Sequence, residues 1–277
     1  MAVKDYLRRG IEYVFTGIPI KRLETTISYL QPSNKLKGKS IIVTGGGRGL
    51  GLAMSKRFID EGATVLISGR NEDILEKNAK LLGCSYLKLD VQDVLSFDSF
   101  IEKAWNILGE INCLVNNAGV SHHEGNIRNV TFDDFNTQIN TNLRAGYFLS
   151  QKLIKKIEDN NIKNANILFV SSERGFMADD LPYGITKSAI NTLVQGLAYE
   201  LINSNIRVNA IAPGVTISDM TGFKKNGNLT LSSQMTGRVY FPEEIAEIAS
   251  FLLSDASALL NGQILICNEG KTINFRR

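Results

Sequence analysis

Tyr183 and Lys187 stand four positions apart in a stretch that reads as helix, so both side chains share one face. A tyrosine with a reference pKa near ~10 is a poor acid–base catalyst at neutral pH. A neighbouring ammonium favours the phenolate and moves that pKa toward the working range. Alone, the pair also suits an exposed helix surface. A second stretch, Thr44-Gly45-Gly46-Gly47-Arg48-Gly49-Leu50-Gly51, has the make-up of a phosphate-binding turn. Its glycines let the backbone turn sharply and approach a pyrophosphate, and a following helix would offer unpaired N–H groups and positive potential. The spacing is Gly45-x-x-x-Gly49-x-Gly51, which departs from the general G-x-G-x-x-G fingerprint.

These groups need a scaffold, and the chain supplies a regular one. Short β-branched runs at 40–44, 64–67, 86–89, 113–115, 167–170, 206–211 and 264–266 predict seven strands. Helices are expected over about 50–61, 71–82, 97–107, 131–157, 182–203 and 242–253. Strands that are apolar almost throughout, separated by helices, describe a parallel sheet covered on both faces. The reading is α/β: one doubly wound Rossmann domain over residues 38–277 with a seven-stranded parallel sheet, preceded by a helical arm over 1–37. The glycine turn then sits between the first strand and the first helix, where a dinucleotide site belongs.

In that order the motifs resemble the short-chain dehydrogenases/reductases. The family's T-G-x-x-x-G-x-G is met by Thr44, Gly45, Gly49 and Gly51. Asp90-Val91, Asn116-Asn117-Ala118-Gly119, Asn142, Ser172, Tyr183-x-x-x-Lys187 and Pro213-Gly214 follow in sequence. The resemblance covers about residues 38–270, is similar in general layout to the 3-oxoacyl-carrier-protein reductases, and leaves out the arm. It implies catalysis by Asn142, Ser172, Tyr183 and Lys187. Tyr183 would exchange a proton with the substrate oxygen while hydride passes between nicotinamide and carbon. Ser172 would polarise the carbonyl, Lys187 would hold the nicotinamide ribose, and Asn142 would support a water relaying protons to Lys187. It also implies cofactor contacts from Thr44, Gly45, Arg48, Gly49, Leu50, Gly51, Asp90, Val91, Asn116, Ala118, Gly119, Tyr183, Lys187, Pro213, Gly214, Val215 and Ser218. Asp90 would meet the adenine, Asn116 the adenosine ribose, and Val215 the carboxamide.

The end of the second strand bears on the choice of dinucleotide, because an acid there binds a ribose 2′-OH and repels a 2′-phosphate. By family analogy Gly69 occupies that place, Arg70 follows it, and Arg48 lies in the glycine turn. Guanidinium groups suit phosphate through charge and paired donors. The expected cofactor is NADP(H), and the expected reaction interconverts a ketone and a secondary alcohol. An alternative keeps the fold and binds NADP without turnover, as a sensor or scaffold.

Three departures obscure the substrate. The Ser172-to-Tyr183 spacing is about two residues shorter than in many members. Glu173 and Arg174 are charged where small or apolar residues are common, and the frequent Asp-Gly-Gly near the C-terminus is replaced by Asn268-Glu269-Gly270. The pocket is expected from Val120 to Asn126, the segment after Ser172, and a lid from Ser218 to Tyr240. His122-His123-Glu124 reads as a polar substrate wall or plain loop surface, with no metal expected. Arg174, Lys224 and Lys225 would suit an anionic ketone; a sugar keto group is the other candidate.

Charge and cysteines bound the rest. The formal net charge of +3 on 277 residues does not mark a nucleic-acid binder. Residues 1–40 carry +5 and residues 41–277 carry −2. Apolar residues at three- and four-residue steps in the arm predict two short amphipathic helices broken around Gly17-Ile18-Pro19, with Gln31-Pro32-Ser33-Asn34 as a linker. Packing on the domain or a neighbouring subunit is the first reading of that arm, and a basic membrane- or partner-binding surface the second. Cys84, Cys113 and Cys267 are isolated, suggesting neither disulfides nor zinc. No signal-peptide or spanning pattern emerges, so a cytoplasmic protein is expected. Family resemblance implies a homo-oligomer, tetramer or dimer, assembled through the helices around 131–157 and 182–203.

Overall fold

The computed structural model describes residues 30–273. The expected arm helices and the arm's membrane or subunit contacts lie outside the described residues. Seven strands form one sheet: β1 (Ser40–Thr44), β2 (Thr64–Gly69), β3 (Ser85–Lys88), β4 (Cys113–Asn116), β5 (Ala165–Val170), β6 (Ile206–Pro213) and β7 (Ile264–Cys267). All pairings are parallel, in the order β3-β2-β1-β4-β5-β6-β7. The order reverses between β1 and β4, which opens a crevice at their C-terminal ends, the place where such sheets bind ligands.

The strands are apolar on both faces because each face is covered. Ile42, Leu114, Ile167 and Val208 pack on one side with Phe97, Leu149, Leu153 and Val194. Ile41, Val43, Val115 and Leu168 pack on the other with Met54, Phe58, Leu75 and Leu252. The covering helices are α1 (Gly49–Asp60), α2 (Glu72–Leu82), α3 (Phe97–Leu108), α4 (Phe132–Gln138), α5 (Ala145–Asp159), α6 (Pro182–Glu200) and α7 (Pro242–Leu253). The Asn71 carboxamide caps α2 by accepting from Ile74 N at 2.9 Å, and Gly83 ends that helix in the left-handed region at φ 67°.

The helix expected over 131–157 is interrupted. A π-helical turn, Ile139–Arg144, joins α4 to α5 and carries Asn142. Its physical reason is visible in the side chain. Asn142 Oδ1 accepts from Val120 N at 2.8 Å and its Nδ2 donates to Val120 O at 2.9 Å, tying the widened turn to the loop after β4. Such turns concentrate at functional positions.

Packing also begins before residue 38. Leu36 is fully buried among the α1 and α2 side chains. Glu61, fully buried at the end of α1, accepts from Ser33 N at 2.9 Å and pairs with Lys35 at 3.1 Å and with Arg57. Burial alone would raise its pKa, but the Ser33 and Lys35 contacts bring it down to about 2.

Candidate active site

The glycine turn is built from close approach. Gly45 adopts φ 64°, and a Cβ there would come within 3.0 Å of Asn117 Nδ2. A Cβ on Gly51 would lie 2.3 Å from the Gly45 carbonyl oxygen, so only glycine lets α1 start against the turn. Asn117 Nδ2 donates to Thr44 O at 2.8 Å and Gly45 O at 3.2 Å, while Asn78 Nδ2 holds Gly47 O at 2.8 Å. Arg48 caps α1 without a side-chain hydrogen bond, leaving the first helical N–H groups facing outward beside the half-buried Leu50. Gly49 meets the lid here: its Cβ position is 3.7 Å from Ser218 Cβ.

Several residues expected at the cofactor have their side chains engaged elsewhere. Thr44 Oγ1 accepts from Asn117 N and Ala118 N at 3.0 and 3.1 Å and donates to Val115 O at 3.2 Å. It joins β1 to β4, and Thr44 lines a small cavity together with Asn116, Ala118 and Asn142. Asn116 Nδ2 donates to Ser150 Oγ at 2.9 Å, inside α5, which ties the end of β4 to that helix. Asp90 is exposed, its carboxylate accepting from Gln92 N at 3.0 Å, and Val91 is buried beside it. At the end of β6, Pro213 and Gly214 are buried, and the Val215 carbonyl accepts from Tyr240 N at 2.9 Å. Gly69 ends β2 with ordinary space around it, a Cβ meeting only Leu75 at 3.7 Å. Arg70 is exposed and makes no ion pair among the described residues. Arg48 faces Asp219 at 3.4 Å across the mouth of the crevice, both side chains largely in solvent.

Tyr183 and Lys187 lie on α6, which Pro182 starts at its first position. Lys187 is 4% exposed, its ammonium 5.5 Å from the Tyr183 ring centroid and donating to Val170 O at 2.7 Å. Burial lowers its pKa to about 8. The Cβ position of Gly119 lies 3.4 Å from Asn142 Oδ1 and 3.8 Å from Lys187 Nζ, so these groups meet over that glycine. Thr186 links them further, accepting from Asn142 Nδ2 at 3.2 Å and donating to Tyr183 O at 2.7 Å.

Burial pushes the Tyr183 phenol up; the Ser172 hydroxyl and the Arg174 guanidinium oppose that rise, and the Glu173 carboxylate adds to it. Two cations stand near the ring: the Lys187 ammonium, which donates to the Val170 carbonyl, and Arg174 from the segment after Ser172. Its guanidinium stands 5.7 Å from the Tyr183 ring and is held by Asp179 in a two-pronged pair at 2.5 Å. A Cβ on Gly184 would lie 1.9 Å from Asp179 Oδ2, so the glycine makes room for that carboxylate.

The short segment after Ser172 is laced to α6. Ser171 Oγ donates to Asn191 Oδ1 at 2.6 Å, while Ser188 Oγ and Asn191 Nδ2 donate to Gly175 O at 3.0 and 3.1 Å. Glu173 is 5% exposed; Lys271 Nζ meets its carboxylate at 2.6 Å and Asn268 Nδ2 at 3.1 Å. Two of the departures noted in the sequence are therefore partners. Of the cations expected to draw an anionic substrate, Arg174 is paired with Asp179 and Lys225 with Glu243. His122 is paired with Asp134, and His123 Nε2 meets Met220 O of the lid at 2.8 Å. Among the described residues no group of three His, Cys, Asp or Glu side chains could hold a metal ion.

This arrangement has relatives. A family model described as enoyl-(acyl carrier protein) reductase matches residues 45–272. The chain belongs to the short-chain dehydrogenase/reductase family. It is 34% identical over 246 residues to the 3-oxoacyl-[acyl-carrier-protein] reductase FabG of Chlamydia pneumoniae, covering 86% of this chain and 98% of that one. It is 31% identical to an L-rhamnose 1-dehydrogenase (NADP(+)) of Thermoplasma acidophilum, with 87% and 98% covered. The crystal structure of a 3-ketoacyl-(acyl-carrier-protein) reductase from Brucella melitensis complexed with NADH superposes with a TM-score of 0.78 at 30% identity, covering 86% and 100%. As a short-chain dehydrogenase/reductase the protein is an oxidoreductase.

The motifs pointed to most of the crevice but passed over residues that hold it together. Asn117 stands inside a quoted motif and was given no role, although it fixes the glycine turn. Asn78, Asp179 and Thr186 carry no spacing signal, because each acts on a partner from another element or across a turn.

Proposed function

We propose that the protein is an NADP(H)-dependent oxidoreductase interconverting a ketone and a secondary alcohol, with Tyr183 as general acid/base. The observation that carries this reading is the convergence of Ser172, Tyr183, Lys187 and Asn142 beside a turn in which Gly45 and Gly51 leave little or no room for a Cβ. The site fits a dinucleotide on its own features: Gly45 and Gly51 form a cradle that side chains would fill, and the α1 N-terminus is uncapped by any side chain. NADP(H) is favoured over NAD(H) by the lack of an acid at Gly69 and by the exposed Arg70 beside it, which makes no ion pair among the described residues. The relative from Thermoplasma acidophilum is named for NADP(+), which supports the same choice. When bound, the nicotinamide supplies or accepts the hydride.

The residues then divide the remaining work. In the reductive direction Ser172 donates a hydrogen bond to the substrate carbonyl, and Tyr183 gives its phenolic proton to the same oxygen. Lys187 and the backbone around Val215 orient the ribose and carboxamide. Asn142, fixed by Val120, sits where a water could pass protons on toward Lys187. Gly49, Leu50, Asp90, Val91, Asn116, Ala118, Gly119, Pro213 and Ser218 line the remaining crevice by backbone and packing.

Assembly as a homo-oligomer is supported by exposed apolar side chains on the helices expected to carry it. Phe132 is 90% exposed and Tyr199 83%, with Tyr147 and Ile185 also open. No helix among the described residues is long and apolar enough to cross a membrane. A panel of ketones with NADPH and NADH in parallel, read at ~340 nm, tests the function. NADPH-dependent turnover is expected; tight NADPH binding with no turnover across the panel would favour a sensor or scaffold.

A further inference from the structure

We propose that Lys271, acting through the buried carboxylate of Glu173, is a positioning residue that sets the place of the Ser172 hydroxyl at the reacting centre. The inference rests on the reading of Ser172 and Tyr183 as the reacting pair. Glu173 directly follows Ser172 and is 5% exposed, so its carboxylate needs partners. It finds them in one segment far along the chain. Lys271 Nζ donates to Oε1 at 2.6 Å and Asn268 Nδ2 to Oε2 at 3.1 Å. A Cβ on Gly214 would lie 3.2 Å from Glu173 Oε2, so the carboxylate also packs against the turn after β6. One side chain thus joins the C-terminal ends of β5, β6 and β7, on the rim that carries Ser172.

The segment after β7 is shaped to bring these partners in. Glu269 and Gly270 both take left-handed backbone, at φ 56° and 85°, in a tight turn that returns Lys271 to the side of Asn268. Such a conformation is uncommon for a glutamate, so the turn is held against a conformational cost. Gly270 N donates to Asn268 Oδ1 and Lys271 N to Asn268 O, each at 3.2 Å. Gly214 N donates to Cys267 O at 3.0 Å, which fastens the start of the turn to the end of β6.

The serine is placed to feel this anchor. Ser172 starts the short turn Glu173–Phe176, its Oγ accepting from Arg174 N at 3.3 Å and its carbonyl from Gly175 N at 2.9 Å. The hydroxyl therefore follows wherever residues 173–175 are held. Asp179 holds Arg174, Ser188 and Asn191 of α6 hold Gly175, and Lys271 holds Glu173. Removing Lys271 would leave a buried carboxylate without its counter-charge, and the residue next to the serine would have to move. An aspartate at 268 would do the same by setting a second carboxylate against Glu173 in place of a donor.

The test uses the full-length protein and NADPH, with the fastest-reduced compound of a ketone panel that includes an acetoacetyl thioester. Lys271→Met should lower kcat about tenfold to a hundredfold, the scale of a misplaced reacting group, while NADPH affinity by calorimetry stays within about twofold. Lys271→Arg, which keeps the charge and the donors, should restore most of the rate. Asn268→Asp should lower kcat in the same way, and serves if the methionine variant fails to fold. On the residual turnover of Ser172→Ala, adding Lys271→Met should cost little further, because the serine through which it acts is gone. An unchanged kcat, an equal loss of NADPH affinity, or a full further loss on top of Ser172→Ala would overturn this inference alone. No turnover of any compound by the unaltered protein would overturn it together with the functional reading beneath it.

Discussion

The crevice has two walls made in different ways. The wall proposed for the cofactor is backbone: glycines at 45, 49 and 51, a helix N-terminus without a side-chain cap, and amide side chains of Asn78 and Asn117 that hold carbonyl groups in place. The wall proposed for the substrate is side chains, several of them charged and matched, as Glu173 is with Lys271 and Arg174 with Asp179. Backbone can cradle the same phosphate in many sequences, so that wall is written as spacing. A wall of paired side chains is particular to one ligand, so it is written in residues that no general pattern collects.

Substitutions can separate the two walls. The largest effect is expected where both meet: Lys187→Met should lower kcat by roughly a thousandfold, the scale of a lost proton-transfer group, checked by steady-state rates. Gly51→Ala should act on the cofactor wall alone. Its new Cβ is 2.3 Å from the Gly45 carbonyl oxygen, so the turn must open, and NADPH affinity measured by calorimetry should fall about a hundredfold, on the order of the energy of backbone strain. Gly69→Asp places a carboxylate where a 2′-phosphate would sit and should shift the NADPH-to-NADH preference at least about tenfold toward NADH.

The smallest effect sharpens the comparison most. Arg174 favours the Tyr183 phenolate, so Arg174→Gln should raise the tyrosine's pKa. On the proposed mechanism the base in the oxidative direction is the phenolate, so the rising limb of the pH–rate profile should move to higher pH, with Arg174→Lys restoring part of it. A structural role alone would lower the rate at every pH and leave the limb in place.

The sheet was legible because seven apolar runs must be buried on both faces, and the helix ends were marked by residues such as Asn71 and Gly83. The Tyr183–Lys187 pair was legible as neighbours because both are local to one helix. The π-turn at Asn142 was not, since it depends on Val120 from the loop after β4. Nor was the second cation near the tyrosine, since Arg174 is placed there by Asp179. The burial of Leu36 and the clasp on Glu61 likewise come from contacts that a linker-like composition hides.

The central claim is that Tyr183 moves the proton while a separate backbone wall holds the cofactor. The most direct measurement is NADPH binding and ketone turnover by Tyr183→Phe beside the unaltered protein. The account predicts nearly unchanged NADPH affinity with turnover lost; a phenylalanine variant that still reduces ketones at a comparable rate would contradict it.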